Sequence, residues 1–295
     1  MKQVKHFING EFVVGSNKKF FDKRSPVDNK VIAQIAEASQ SDVDAAVRAA
    51  HDALNGEWGK MTVDQRVEML YAVANEITRR FEDFVAAEMA DTGQPNHVMR
   101  HVFIPRGAAN FKVFADVVKN VVTEAFTMST PDGRGAVNYA VRNPKGVIGV
   151  ISPWNAPFML MTWKVGPALA CGNTVVVKPS EETPMTTALL GEVMNAVGMP
   201  KGVFNVVPGL GSEAGAALAS HMDVAKIAFT GSGPTGMKIM QYAAESNMKQ
   251  VSLELGGKSP QVVLSDCTNL KLAAETIGWA IYYNAGQTCN AGSRI

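Results

Sequence analysis

Lys226-Ile227-Ala228-Phe229-Thr230-Gly231-Ser232-Gly233-Pro234-Thr235-Gly236 decides the fold. A short apolar run meets a glycine turn of the form G-x-G-x-x-G, and a helical stretch over 234–247 follows. The spacing predicts a strand that feeds a helix through a tight turn. The same alternation extends outward on both sides. Apolar, β-branched runs stand at 147–151, 174–177, 203–207 and 250–253, with helix candidates at 157–170, 184–197 and 211–220 between them. Strands that are apolar on both faces and separated by helices predict an α/β fold with a parallel sheet covered on both sides. Ligands of such sheets bind at the carboxyl ends of the strands. The residues that stand just past each run are Asn155, Lys178, Gly209 with Gly211, Gly231 with Ser232, and Glu254.

The stretch before residue 137 is built differently. Asn9-Gly10, between Phe7-Ile8 and Phe12-Val13, predicts a tight hairpin. Ser41-Asp42-Val43-Asp44 reads as a helix start, and Thr62…Gln65 as a capping box before one long helix through Val67, Leu70, Val73, Ile77, Phe81 and Phe84. A further helix is expected over 105–120. The uncharged stretch 146–163 is long enough to span a bilayer, but Pro153, Asn155 and Pro157 in its middle predict a strand, a turn and a buried helix start.

Composition narrows the function. The 295 residues carry 28 Lys+Arg against 27 Asp+Glu, a net charge of +1, which disfavours a nucleic-acid binder or a polybasic membrane protein. Hydrophobic residues make up 46% and charged ones 19%, so disorder is excluded. Cys171, Cys267 and Cys289 are too few and too far apart for a disulfide framework or a metal knuckle, and a cytoplasmic, reducing setting is expected. His97 and His101 lie four apart without a metal-binding motif around them, so no metal is expected.

Several residues could do chemistry. Cys289 sits among small residues in Gly286-Gln287-Thr288-Cys289-Asn290-Ala291-Gly292, whereas Cys171 and Cys267 read as buried apolar residues. Glu254 closes an apolar strand before Leu255-Gly256-Gly257-Lys258. Partial desolvation there would suit it as a base, and an ion pair with Lys258 is the plainer alternative. Asn155 offers a neutral amide donor, or is simply a turn residue beside proline. Lys178-Pro179-Ser180-Glu181 could reach ribose hydroxyls, with a carboxylate that favours NAD over NADP; a solvated helix start competes with that reading.

Five motifs in order resemble the NAD(P)-dependent aldehyde dehydrogenase superfamily. They are Pro153-Trp154-Asn155-Ala156-Pro157, Lys178-Pro179-Ser180-Glu181, Phe229-Thr230-Gly231-Ser232, Leu253-Glu254-Leu255-Gly256-Gly257-Lys258 and Gly286-Gln287-Thr288-Cys289. The resemblance implies that Cys289 is the nucleophile, that Asn155 and the Cys289 N–H form an oxyanion hole, and that Glu254 is the general base. It implies NAD as cofactor, with Lys178 and Glu181 on the adenosine ribose, Gly231 and Ser232 on the pyrophosphate, and Ile151, Trp154, Gly211, Phe229 and Leu255 lining the site. A thiolate adds to an aldehyde, the oxyanion expels hydride to the nicotinamide, and Glu254 activates the water that releases a carboxylic acid. An NAD-binding module without catalysis, or a CoA-acylating dehydrogenase, are the competing readings; a water-activating Glu254 opposes the second.

Within that superfamily, 104–111, 130–133, 138–151 and 166–173 are similar to the 2-hydroxymuconic and 2-aminomuconic semialdehyde dehydrogenases. That implies a carboxylated aldehyde as the small-molecule partner, with Arg106 on its carboxylate. Gly233-Pro234-Thr235, Ser259-Pro260 and Asn290-Ala291-Gly292-Ser293 look more like generic aldehyde dehydrogenases. The resemblance also implies an N-terminal arm with helices over 1–122, an oligomerisation hairpin over 123–141, a dinucleotide-binding domain over 142–254 and the start of an incomplete catalytic domain over 255–295. The chain is thus expected to be a fragment with weak or no activity by itself, homo-oligomeric in its full-length form, and with an apolar helix near 270–281 short of cover.

Overall fold

The computed structural model describes residues 2–295. The chain opens with β1 (Lys2–Val4), β2 (His6–Ile8) and β3 (Glu11–Val13), then β4 (Phe20–Arg24) and β5 (Val31–Ala36). Asn9 (φ 52°) and Gly10 (φ 78°) adopt the left-handed pair that an Asn-Gly hairpin requires, and β2 pairs antiparallel with β3 across them. β1, β5 and β4 form a small three-stranded sheet that the sequence reading did not expect.

Helices come next: α1 (Gln40–Asn55), α2 (Glu57–Lys60), α3 (Val63–Arg79), α4 (Phe81–Thr92), α5 (Asn96–Val98), a π-helical turn over Met99–Phe103, and α6 (Ile104–Lys119). The cap of α1 is Ser39 rather than Ser41: its hydroxyl accepts from the Asp42 N–H while Asp42 accepts from the Ser39 N–H. The capping box at Thr62 and Gln65 stands as expected. The single long helix expected after it is two helices, because Arg80 (φ −95°, ψ 23°) leaves helical geometry and ends α3.

An exposed antiparallel hairpin comes after α6, β6 (Ala125–Met128) with β7 (Ala136–Tyr139). Then the alternation begins: β8 (Val147–Ile151), α7 (Pro157–Ala170), β9 (Thr174–Lys178), α8 (Met185–Ala196), β10 (Phe204–Val206), a π turn over Gly211–Gly215 with α9 (Ala216–Ser220), β11 (Val224–Thr230), α10 (Gly233–Ala244) and β12 (Gln250–Glu254). α11 (Leu270–Tyr282) closes the chain before a 3-10 turn over Tyr283–Gly286.

The main sheet runs β12-β11-β8-β9-β10-β2-β3, with β12 to β10 parallel and the opening hairpin at its edge. The chain leaves β8 toward one side of the sheet and returns to β11 on the other, so strand order reverses between them. A crevice opens at that reversal, where dinucleotide sites form in sheets of this kind.

Coverage of the sheet is uneven. Every residue of β8 and β9 is buried, yet β12 alternates exposed with half-buried residues. The expectation of a sheet covered on both sides holds for β8, β9 and β10 and fails at β11 and β12. Val251 and Leu253 pack toward the core. Gln250, Ser252 and Glu254 line an open trough on the other face. Among the described residues no helix is long and apolar enough to cross a membrane. The 146–163 stretch is a strand, a turn and a helix start.

Candidate active site

Two clefts meet beside Cys289. The first, of ≈ 700 Å³, lies at the carboxyl ends of β8 and β11. It gathers all nine residues expected to hold a cofactor: Ile151, Trp154, Lys178, Glu181, Gly211, Phe229, Gly231, Ser232 and Leu255. The second, of ≈ 800 Å³, is the trough between α7 and the open face of β11 and β12, and it holds Glu254. Among the described residues only Asn155, Phe229, Thr230, Thr288 and Cys289 line both. A nucleophile at such a junction can touch a molecule in either space.

Local chemistry explains the walls of the first cleft. Lys178 ends β9 with its side chain almost wholly buried and donates to Glu181 at 2.7 Å. Burial lowers the Lys178 pKa, and the Glu181 carboxylate opposes that. Burial would raise Glu181, but the Lys178 charge, the hydrogen bond from its ammonium and that from the Gly211 N–H hold it below the usual carboxylate range. The pair therefore stays ionised, with an anionic edge turned to the cleft. Gly231 has no room for a side chain: a Cβ there would stand 2.5 Å from the Phe229 ring. The Gly231 N–H donates to the Glu254 carbonyl at 3.0 Å, tying the turn after β11 to the end of β12. Ser232 caps α10 by accepting from the Thr235 N–H. The free N–H groups of that helix start are suited to a pyrophosphate.

The Cys289 loop is held under strain. Asn284 (φ 53°), Ala285 (φ 55°) and Gly286 (φ 73°) are left-handed in succession, which for an alanine costs about 1 kcal/mol. The Asn155 side chain donates to the Gln287 carbonyl at 2.8 Å, two residues before the thiol. Among the described residues the Cys289 N–H has no main-chain acceptor. An orphan N–H and a side-chain amide beside a thiol suit a developing oxyanion.

Some expectations need correction. Cys171 and Cys267 are not buried: Cys171 is exposed at the end of α7, Cys267 is half-buried, and Cys289 is exposed too. Burial does not set Cys289 apart from the other two cysteines; its neighbours do. Glu254 is exposed, so the desolvation expected at the strand edge is absent, and no ion pair joins it to Lys258 among the described residues. Arg106 lies outside both clefts. It is exposed on α6, its guanidinium 5.6 Å from the centroid of the Trp163 ring, which lines the trough. Among the described residues no cluster of three His, Cys, Asp or Glu could hold a metal.

The sequence reading missed Lys164. It lines the trough, and burial lowers its pKa while the charges of Glu254 and Cys289 oppose the shift. A lysine inside the otherwise uncharged run of α7 was the available signal.

The profile of the aldehyde dehydrogenase family matches residues 12–295. The chain belongs to the aldehyde dehydrogenase family. It is 58% identical over 296 residues to 2-hydroxymuconic semialdehyde dehydrogenase of Pseudomonas sp. (strain CF600), covering 100% of this chain and 60% of that protein. It is 50% identical to 2-aminomuconic 6-semialdehyde dehydrogenase of Pseudomonas sp., with the same coverage. Among solved structures, the NAD+ complex of aldehyde dehydrogenase from Bacillus cereus superposes with a TM-score of 0.94 at 40% identity, over 99% of this chain and 58% of that one. The chain thus spans about 60% of the length of the curated relatives it matches. The α/β architecture with a parallel sheet expected from the sequence is that of this family.

Proposed function

We propose that this chain carries the cofactor site and nucleophile of an NAD-dependent aldehyde dehydrogenase acting on a carboxylated, muconic-type semialdehyde. The observation that carries the reading is the place of Cys289, at the meeting of the cleft at the carboxyl ends of β8 and β11 and the trough that holds Glu254. Lys178 and Glu181 would hold the adenosine ribose, and Gly231, Ser232 and the start of α10 the pyrophosphate. NAD bound there supplies the hydride acceptor. An anionic Glu181 repels a 2′-phosphate, which favours NAD over NADP.

The chain's own residues then do the acyl chemistry. The Cys289 thiolate adds to the aldehyde carbon. The second N–H of the Asn155 amide and the Cys289 N–H steady the oxygen that becomes negative, an effect worth about 100- to 1,000-fold per donor. After oxidation the acyl group stays on sulfur as a thioester. Glu254, in the same trough, takes a proton from water as it attacks that thioester, and the carboxylic acid leaves.

Substrate class rests on the two semialdehyde dehydrogenase relatives and on Arg106. Its guanidinium, stacked near Trp163 at the rim of the trough, suits a carboxylate. Arg106→Ala should lower kcat/KM for a carboxylated semialdehyde and leave an uncharged aldehyde unaffected. The reading also carries a cytoplasmic setting, supported by three unpaired cysteines, and a homo-oligomeric full-length form, supported by the exposed apolar residues of the β6–β7 hairpin. With Cys289 and Glu254 both exposed to water, turnover by this chain alone should be weak.

The test uses the purified chain with NAD and excess aldehyde, followed at 340 nm. Cys289→Ala should abolish NADH formation. Glu254→Gln should keep a single stoichiometric burst and lose the steady phase after it. Equal loss of both phases in Glu254→Gln would remove Glu254 from the role of base. A yield that rises only with added CoA would favour acyl transfer to a thiol instead.

A further inference from the structure

Gln94 belongs to none of the sequence motifs, yet it is only 7% exposed and lies at the back of the active site. α4 ends at Gly93, whose φ of +66° turns the chain so that Gln94 faces the start of α7. Its side-chain amide donates to the main-chain carbonyl of Asn155 at 2.9 Å and to the Gln287 side-chain oxygen at 3.4 Å. The Asn284 side chain donates to the same Asn155 carbonyl at 3.2 Å. We propose that Gln94 is a positioning residue that holds Asn155 against the Cys289 loop. This rests on the acyl-transfer reading of the site.

Three features support it. First, α7 has no side-chain cap of its own, and Ala156 before it is far from helical (φ −151°, ψ 65°). Whatever fixes Asn155 must come from another element. α4 supplies it from both sides. Gln94 binds the Asn155 carbonyl, and the buried Glu88 accepts from the Phe158 N–H at 3.2 Å. Second, Gln94 joins the two segments whose relative placement matters: Asn155 on one, Gln287 on the other. The Asn155 side chain donates to the Gln287 carbonyl, so one buried amide spans a small closed network around the oxyanion donor. Third, among the described residues the buried Gln94 side-chain oxygen has no partner. An unpaired buried oxygen is unfavourable, and an apolar side chain of equal length would suit the packing better. The polar contacts of this side chain therefore run through its N–H groups alone.

This last point separates positioning from plain structural support. Gln94→Met fills the same space, loses the donor and removes the unpaired oxygen. The variant should be as stable as the parent or more so, and still be impaired. Two reagents read the defect without cofactor. 4-Nitrophenyl acetate acylates a thiolate through a tetrahedral oxyanion: the sulfur adds to the ester carbonyl, the oxyanion collapses, nitrophenolate leaves and an acetyl thioester remains. Iodoacetamide alkylates the same thiolate by displacement of iodide and forms no oxyanion. Peptide mapping assigns each product to Cys289 apart from Cys171 and Cys267. In Gln94→Met, acetylation of Cys289 should slow about tenfold while alkylation keeps its rate. In an Asn155→Ala background the Gln94→Met change should have no further effect, because the residue it acts through is gone.

Unchanged acetylation in Gln94→Met would overturn the proposal. So would equal slowing of acetylation and alkylation, or a further loss added to that of Asn155→Ala. If the parent chain does not acetylate Cys289, or Asn155→Ala acetylates as fast as the parent, the acyl-transfer reading is what fails. Amide hydrogen exchange over residues 155–160 then decides the positioning role by itself: faster exchange in Gln94→Met upholds it, and unchanged exchange overturns it.

Discussion

Glu88 shows how a residue far from any motif can govern the site. It is fully buried, and burial pushes its carboxyl up to about 7 from an ordinary 4.5, against the pull of hydrogen bonds from the Thr186 hydroxyl and the Phe158 N–H. The folded state thus holds a proton that the unfolded chain has released between those two values. Stability from this group is complete below pH 4.5, and falls as pH rises through about 7. At pH 8 the cost is roughly 3 kcal/mol. Glu88→Gln keeps an acceptor for Phe158 and carries no charge to bury. Its denaturation midpoint should exceed that of the parent at pH 8, and the two should converge by pH 5. Parallel stability curves would show that the carboxyl is not strained by its surroundings. Asp91 is raised by burial as well, with the Lys23 charge opposing, so part of the parent's pH dependence should survive in Glu88→Gln. At this scale the sequence was legible where chemistry repeats a spacing: Cys289, Asn155 and the nine residues proposed to hold a cofactor line one cleft. Glu88 and Gln94 were not legible. Their partners, Phe158 and Asn155, lie 70 and 61 residues away, and no local pattern encodes a cap supplied from another helix.

Among elements, the α6–α7 crossing sets where Asn155 can stand. Gly107 on α6 lies against the ring of Phe158, the second residue of α7, and a Cβ there would come within 2.4 Å of two ring carbons. Phe158 cannot yield, since it is fully buried and its ring lies 4.7 Å from that of Phe84. Gly107→Ala gains about 1 kcal/mol in helix propensity but overpacks the crossing at a cost of about 1–3 kcal/mol. The expected outcome is a melting temperature a few degrees lower, with slower acylation of Cys289 as α7 shifts. Gly278→Ala in α11 meets nothing within 4 Å and should leave stability equal or raise it. A Gly107→Ala variant as stable as the parent would mean that the two helices part freely. Element type was readable wherever apolar spacing ran unbroken, so the five parallel strands and α7, α8 and α10 fall within a few residues of expectation. Boundaries failed where a side chain two residues away made the better cap, as Ser39 did. They failed also where geometry changed without a change in hydrophobic spacing, as at Arg80. The β1-β5-β4 sheet escaped notice because strands such as Lys2–Val4 are too short to show alternation.

At the scale of the whole molecule the two clefts differ in how complete they are. The chain exposes 14997 Å², against about 12,000 Å² for a compact protein of its mass. Two elements stand uncovered. α11 has no buried residue, Trp279 and Tyr282 on it are largely exposed, and so are Phe126 and Tyr139 on the β6–β7 hairpin. The trough that holds Glu254 is open along β12, whose residues are all exposed or half-buried, whereas the cleft at the ends of β8 and β11 is backed by buried Lys178, Ile151 and Phe229. Strand order and the open faces of β11 and β12 were not readable in advance, because both are set by contacts between distant segments rather than by local spacing. Cofactor binding and catalysis should therefore come apart in this chain. Titration calorimetry should show saturable binding of NAD at one site per chain, while steady NADH formation stays weak. NADP should bind less tightly than NAD, and Glu181→Gln should narrow that difference by removing the charge that repels a 2′-phosphate. The narrowing should be larger at low salt, since Glu181 is only half-buried and its field is screened by ions. If NAD and NADP bound this chain equally, and Glu181→Gln changed neither, the ribose role of the Lys178–Glu181 pair would be lost, and with it the orientation assigned to the dinucleotide in the cleft.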